Sequence, residues 1–385
     1  MTECAVNSES VQPVRVRPED VSMLVGGDPR SGIRTNRRSA GGERTVDAAS
    51  STVAIYPGFF AINYSPYLVG LAEVFGKHAL VFTPRGFPVF HQHCLAFVAP
   101  SGAKVFIDAQ DWSIPFDAGL EWADLYAKVN LDPARIPAAY AAKVVAAGPS
   151  FPVKIAGRTQ AIWRAVRNYQ MARASMKDAR RHFGNWRGIY RWAIPERDYR
   201  PGVSSPAYAF FGGSIWKDEP ECNEYRRRFI EACRSLDWLE FEGGFAPRHR
   251  RDVPGLEAYT ADRRYEHAEW MAKSQRSSVV FNTPAVFGAL AWKLPEFLAL
   301  GKAIISTPLV RSLSAPLVHG EHIHFVEGSV ESIREAVSHI CRDDRYRATL
   351  EKGARAYYVQ HLQPARAVRR IVDLAEERLA GRQGL

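Results

Sequence analysis

The chain has 385 residues, 46% hydrophobic and 24% charged, with a net charge of +10. That length accommodates two domains with separate cores, and no apolar run reaches the roughly 20 residues that a membrane-spanning helix needs. The first 50 residues lack the charged-then-apolar order of a signal peptide, so cytosol is the expected compartment. Cys4, Cys94, Cys222, Cys233 and Cys341 are widely spaced without a C-x-x-C pair, and they read as reduced structural thiols.

Residues 1–50 are rich in Ser, Gly, Arg and Asp, and are expected to form a disordered tail. Order is expected from TVAIYPGFF (52–60), followed by a helix begun near Ser65 and Pro66. HALVFTP (78–84), HCLAFVA (93–99) and AKVFIDA (103–109) then read as short strands. Apolar strands alternating with helical stretches predict a parallel sheet covered on both faces, here an N-terminal Rossmann-like domain over 51–153. Residues 154–204 read as a basic helical linker. Its 154–200 portion holds 12 Lys and Arg against Asp178, Glu196 and Asp198, which is nearly the whole net charge. One long helix is expected over 158–183, with a connecting stretch from Gly184. Trp163, Tyr169, Trp186, Tyr190 and Trp192 interleave these charges. A solvated linker, an anionic membrane surface and an acidic acceptor all fit such a segment, and nucleic acid fits it least.

A second α/β alternation starts at PAYAFFGGSIW (206–216), read as a strand running into a Gly-Gly-Ser turn. An amphipathic helix (223–236), a strand (238–245) and a helix (265–275) follow. SSVVF (277–281), a polar loop, a helix carrying Lys293 and Glu296, and AIIST (303–307) then form a β-α-β unit. HIHFVEG (322–328) gives one more strand. Residues 205–345 therefore read as a C-terminal Rossmann-like domain, and 346–385 as helices that pack back on the N-terminal one.

Lys293 and Glu296 are one turn apart and share a helix face. An ammonium there meets a diphosphate while a carboxylate accepts from ribose hydroxyls, although a solvated helix pair has the same spacing. Gly212, Gly213 and Ser214 bring backbone N–H groups toward phosphate or form an ordinary tight turn. Asn282, Thr283, Pro284 and Ala285 lie where a strand end meets the donor. The same four residues also suit a capped helix start with Pro284 at its first position. In the N-terminal half, Asp108 and Asp111 at a strand end are candidates for the base that takes an acceptor proton, against a plain turn role. Asn63, Tyr64 and Ser65 follow the first strand, and Lys128 could reach a cleft between the domains or be a plain surface lysine. His91 and His93 share a strand face, but no third ligand is placed, and no metal is expected.

The runs NTPAVFGALAWKLPEFLALGKAIISTPL, AFFGGSIW with RRRFIEAC behind it, and PLVHGEHIHFVEGSVESIREAVSHI together resemble the GT-B glycosyltransferases, in particular bacterial group-one-like and exostosin-like members. The resemblance covers 205–345 well and 51–150 in outline; neither the basic insert nor the first 50 residues shares in it. It implies two Rossmann-like domains facing across a cleft, with the nucleotide-sugar donor on 205–345 and a glycan or lipid-linked acceptor on 51–153, where Asn63, Tyr64 and Ser65 match the family's acceptor loops and Lys128 is the further candidate for acceptor binding. It further implies sugar transfer without a metal or other cofactor, Glu296 on the donor ribose and Lys293 on its diphosphate. The chain departs from the family eight positions before Glu296, where many retaining members carry a second acid and this one has Gly288. Neither retention nor inversion therefore follows. The expected role is polysaccharide, lipopolysaccharide or glycolipid assembly, in the cytoplasm and peripheral to the inner face of a membrane. A nucleotide-sugar epimerase or hydrolase on the same fold, or a non-catalytic nucleic-acid-binding protein, is the alternative.

Overall fold

The computed structural model describes residues 52–173, 176, 178–248 and 253–383, and the expected tail lies outside them. The first half of the described chain places β1 (Val53–Ile55), α1 (Ala61–Phe75), β2 (Leu80–Phe82), β3 (Leu95–Val98) and β4 (Lys104–Asp108). It continues with a short α2 (Asp117–Trp122), β5 (Leu125–Lys128) and β6 (Val144–Ala146). The six strands form one sheet in the order β2-β1-β3-β4-β5-β6. Strand β3 runs antiparallel to both neighbours while the other pairs are parallel, so the parallel sheet expected here carries one antiparallel strand. The reason is the connection 99–103. It is too short for a parallel crossover, which takes a dozen or more residues, and it turns back through Gly102 at φ 89°.

Side-chain alternation divides the two faces of this sheet. Val105 and Ile107 of β4 join the core made with α1, whereas Phe106 between them packs in an aromatic cluster with Tyr56, Phe90 and Tyr126. Helix α1 begins at Ala61, earlier than Ser65 and Pro66, so Pro66 lies inside it. Proline has no N–H for the Ile62 carbonyl, and the Ser65 hydroxyl donates to that oxygen instead at 2.9 Å.

The basic segment folds as two helices, α3 (Arg158–Met171) and α4 (Ala179–Arg191), rather than one. Asp178 caps α4 by accepting from the Arg181 N–H at 2.9 Å, and α4 occupies the stretch from Gly184 that was expected to connect. Gly188 lets α4 sit tightly on α1, because a Cβ there would lie 2.4 Å from Ile62 Cδ1.

The second half places β7 (Tyr208–Gly213), α5 (Pro220–Arg234), β8 (Glu240–Phe245), α6 (His267–Arg276), β9 (Val280–Asn282), α7 (Lys293–Ala299), β10 (Ile304–Ser306) and β11 (His324–Phe325). All of these strand pairs are parallel, and a bridge between Ala209 and Val279 joins β7 to β9, giving the order β8-β7-β9-β10-β11. Phe281 and Ile305 point toward α5 and α8 (Val330–Arg342). Val280 and Ile304 face the other way, toward α7 and α9 (Asp344–Tyr357). After a turn of π-helix at Tyr358–Leu362, α10 (Pro364–Gln383) crosses back to the first sheet. There Val368, Ile371 and Ala375 enter the α1 core, and Arg370 donates to the Ala146 and Ala147 carbonyls at 3.0 Å. The architecture is α/β, with two Rossmann-like sheets in which parallel pairing dominates. Cys94, Cys222, Cys233 and Cys341 are buried free thiols.

Candidate functional site

Ligands of open α/β sheets bind beyond the carboxyl ends of the strands, and those ends of the two sheets meet here. Beyond β5, Asn130 accepts from the Leu290 N–H at 2.7 Å and the Leu131 carbonyl accepts from the Ser312 N–H at 2.9 Å. Asp132 pairs with Arg311 at 3.3 Å. The loops after β9 and β10 are thus held against the end of the first sheet.

On the second sheet, the edge is built around Lys293. It is the first residue of α7, and its Nζ donates to the Gly212 carbonyl while lying 4.9 Å from the Phe211 ring and 5.8 Å from that of Trp270. Loss of water, together with the nearby Arg226 charge, lowers its ammonium to about 7, against a smaller opposing effect of Glu296. Arg226 comes from α5. Its Nε donates to Thr283 Oγ1 at 3.3 Å and its Nη1 to the Ser214 carbonyl at 2.9 Å. It is 6% exposed, and burial lowers its pKa too. Among the described residues neither cation is ion-paired with a carboxylate. Two cations therefore converge on the end of β7, and the buried Asn282 Oδ1 and Thr307 Oγ1 at the ends of β9 and β10 have no hydrogen-bond partner among the described residues.

Glu296 is 6% exposed and sits one turn into α7 from Lys293. Its Oε1 lies 3.2 Å from His267 Nε2 and accepts from the Tyr199 hydroxyl at 3.4 Å. Burial works against a charged imidazole at His267. The Glu296 hydrogen bond and charge, with the Trp192 backbone, outweigh it and raise the group above its ordinary value. Helices α6 and α7 and the segment that follows α4 thus meet at one carboxylate.

Other expected residues are placed differently. Gly212 and Gly213 are the last residues of β7, paired with Gly244 and Phe245, and are not part of a turn; Ser214 follows them, exposed. Asn282 ends β9 and donates to Ser306 Oγ at 2.9 Å. No helix starts at Pro284, because the Ala285 N–H closes the loop onto the Ala289 carbonyl at 2.7 Å and α7 begins only at Lys293.

In the first half, Asp108 and Lys128 form a fully buried ion pair at 2.7 Å, so neither faces a cleft. Asp108 also accepts from Tyr126 at 2.7 Å and from the Gln110 N–H at 2.9 Å. Asn63, Tyr64 and Ser65 lie on α1 rather than in a loop. Tyr64 and Ser65 are buried there, Tyr64 donating to the His93 carbonyl at 2.6 Å and Ser65 accepting from the Val153 N–H at 3.0 Å. Of the three charged residues expected in this half, Asp111 alone is not buried; it lies beyond β4, where partial desolvation raises its carboxyl against the Lys128 charge. His91 and His93 have ring centroids 5.8 Å apart, and His93 is lowered to about 4 by burial and by Arg181 and His91.

No protein-family profile and no curated protein matches the chain. Among solved structures it is similar to a glycosyltransferase from Rickettsia africae at 10% identity, over 71% of this chain and 70% of that one, with a TM-score of 0.40. It is similar to HepE from Anabaena, solved with UDP, at 12% identity over 66% and 72% of the two chains, TM-score 0.38. WaaG, a glycosyltransferase involved in lipopolysaccharide biosynthesis, matches at 14% identity over 65% and 78%, TM-score 0.30. The first and third are glycosyltransferases.

Arg226, Tyr199 and His267 were not among the expected site residues. Arg226 had a legible signal: it shares the apolar face of its helix with Cys222, Phe229 and Cys233, so it is the arginine of RRR that points inward. Tyr199 and His267 had none, because their tie to Glu296 is made only by the fold.

Proposed function

We propose that this protein is a glycosyltransferase that moves a sugar from a nucleotide-sugar donor to an acceptor hydroxyl. The observation that carries this reading is the pair Lys293 and Arg226, two desolvated cations without carboxylate partners among the described residues, at the end of β7 and beside the carboxylate of Glu296. A diphosphate supplies the charge they lack, and Glu296 suits a ribose diol. In the transfer, the acceptor oxygen bonds to the anomeric carbon as the bond from that carbon to the phosphate oxygen breaks. The nucleoside diphosphate leaves against Lys293 and Arg226, and these cations, rather than a metal, take up its developing charge. Asp111 is the base assigned to the acceptor proton, since it stands exposed beyond β4 and desolvation raises its carboxyl. The acceptor is a glycan or lipid-linked glycan, and the enzyme works peripherally at an anionic membrane face, in polysaccharide or glycolipid assembly.

A thermal-shift screen of UDP-, GDP-, ADP- and CMP-sugars tests this. One nucleotide series should raise the melting point, and the Arg226→Gln variant should lose that shift for the diphosphate sugars while keeping its own folded melting transition. No shift with any nucleotide sugar would refute the donor site. Donor turnover at the same rate with and without glycan acceptor would replace transfer with hydrolysis or epimerisation.

A further inference from the structure

The helices of this chain treat their arginines in two ways. On α5, Arg227 pairs with Glu224 at 2.8 Å and with Glu231 at 2.5 Å, and Arg228 pairs with Glu224 at 2.9 Å. That is a solvated helix laced with ion pairs. On α3 and α4 the described arginines are Arg158, Arg164, Arg167, Arg180, Arg181, Arg187 and Arg191, and none has an acidic partner among the described residues. Several instead lie over aromatic rings: Arg167 is 5.0 Å from the Trp163 ring and Arg181 is 4.5 Å from that of Phe60.

The same pair of helices exposes large apolar side chains. Trp163 is 56% exposed, and Val166 and Phe183 are each 37% exposed. Ala161, Ala165 and Asn168 are the buried residues of α3, which places Trp163 and Val166 on the side away from the core. Tyr169 reaches across to Phe183 at 5.5 Å between ring centroids, so the apolar side chains of the two helices adjoin. Unpaired cations beside exposed aromatic and branched groups, on helices fixed to the core through Gly188, are what an interface with anionic headgroups and the upper acyl region requires. A purely electrostatic ligand would not explain Trp163 facing water.

We propose that the α3–α4 pair is a lipid-docking surface, with Trp163, Val166 and Phe183 entering the headgroup region and Arg158, Arg167, Arg180 and Arg191 meeting anionic lipid. This deepens the membrane part of the function proposed above, and it belongs to the insert that the glycosyltransferase resemblance does not cover. It is tested without any catalytic readout.

The full chain is sedimented with phosphatidylcholine vesicles, with and without phosphatidylglycerol, across a salt series. Association is expected only with the anionic vesicles and should fall with salt. Each arginine neutralised should weaken partitioning about fivefold, so Arg158→Gln, Arg167→Gln and Arg180→Gln combined should lower it about a hundredfold. Trp163→Ser, with its charge pattern intact, should also lower it. Equal partitioning to both vesicle types, absence of binding, or an unchanged triple variant would overturn the inference. So would full displacement from vesicles by a soluble acidic polysaccharide, together with no effect of Trp163→Ser. Unchanged melting points of the variants confirm that folding is not the cause. Vesicle binding with no nucleotide-sugar binding would retain this surface while removing the donor reading.

Discussion

Replacing Asp108 by asparagine separates a structural role from a chemical one. Both Asp108 and Lys128 are fully buried, and their 2.7 Å contact is the only ion pair that the described residues provide for Lys128. Asparagine keeps the size and can still accept from Tyr126, but it leaves a buried ammonium uncompensated. Removing one partner of a buried pair costs about 3–5 kcal/mol. Lys128 is already lowered by burial, with Asp108 opposing that shift, so the variant lysine should surrender its proton and recover part of the cost. At about 2.1 cal/mol/K per residue, the Thr52–Leu385 body unfolds with an entropy on the order of 0.7 kcal/mol/K, so 4 kcal/mol corresponds to a fall of about 6 °C. Calorimetric melting measures this. The double variant Asp108→Asn with Lys128→Met should recover much of the loss, since it removes the uncompensated buried ammonium. An Asp108→Asn variant that melts within about 1 °C of the parent and has no transferase activity would refute the reasoning and return Asp108 to catalysis.

Lys293→Gln should weaken nucleotide-sugar binding about 10- to 150-fold, the value of a charge-assisted hydrogen bond, measured by titration calorimetry. Because the Lys293 ammonium is lowered to about 7, parent affinity should fall as pH rises above 7 and the charge is lost; this dependence should be absent in the variant, and a flat parent profile would contradict it. His267→Gln should reduce stability most at acid pH. A raised histidine contributes fully below its unfolded value near 6.5, and its contribution disappears as pH passes the higher folded value, so melting curves of parent and variant should converge in alkaline buffer. Gly70→Ala should disrupt the seat of α10 on α1, since its Cβ would lie 2.2 Å from the Pro364 carbonyl oxygen; a melting point within about 1 °C of the parent would show that the helices separate freely.

The order of strands and helices was readable because apolar runs such as 277–281 and 303–307 carry their own length and boundary signals. Strand direction was not readable from β3 itself; it depended on the short 99–103 link. Pro66 and Asp178 show two opposite local errors. A proline tolerated inside α1 hid the true start, and a capping aspartate divided what looked like one helix. At the candidate site, Lys293 and Glu296 were visible as neighbours on one turn, whereas Tyr199 and His267 reach Glu296 across large sequence separations. Asp108 illustrates the reverse case. A carboxylate at a strand end looks available until the lysine of the adjacent parallel strand, in register at Lys128, is seen to cover it.

Gly288, the position where a second acid is absent, has a left-handed backbone at φ 71°, directly after Phe287 at φ 57°. Any side chain there begins in a strained conformation, with its Cβ 2.9 Å from Val310 and 3.4 Å from Arg311. A glutamate placed there would therefore take up the strained left-handed backbone and crowd the Val310 side chain, so a family-like carboxylate would come at a conformational cost. Engineers seeking a carboxylate at this position would have to relieve that backbone strain as well, by grafting the 283–292 loop rather than one residue.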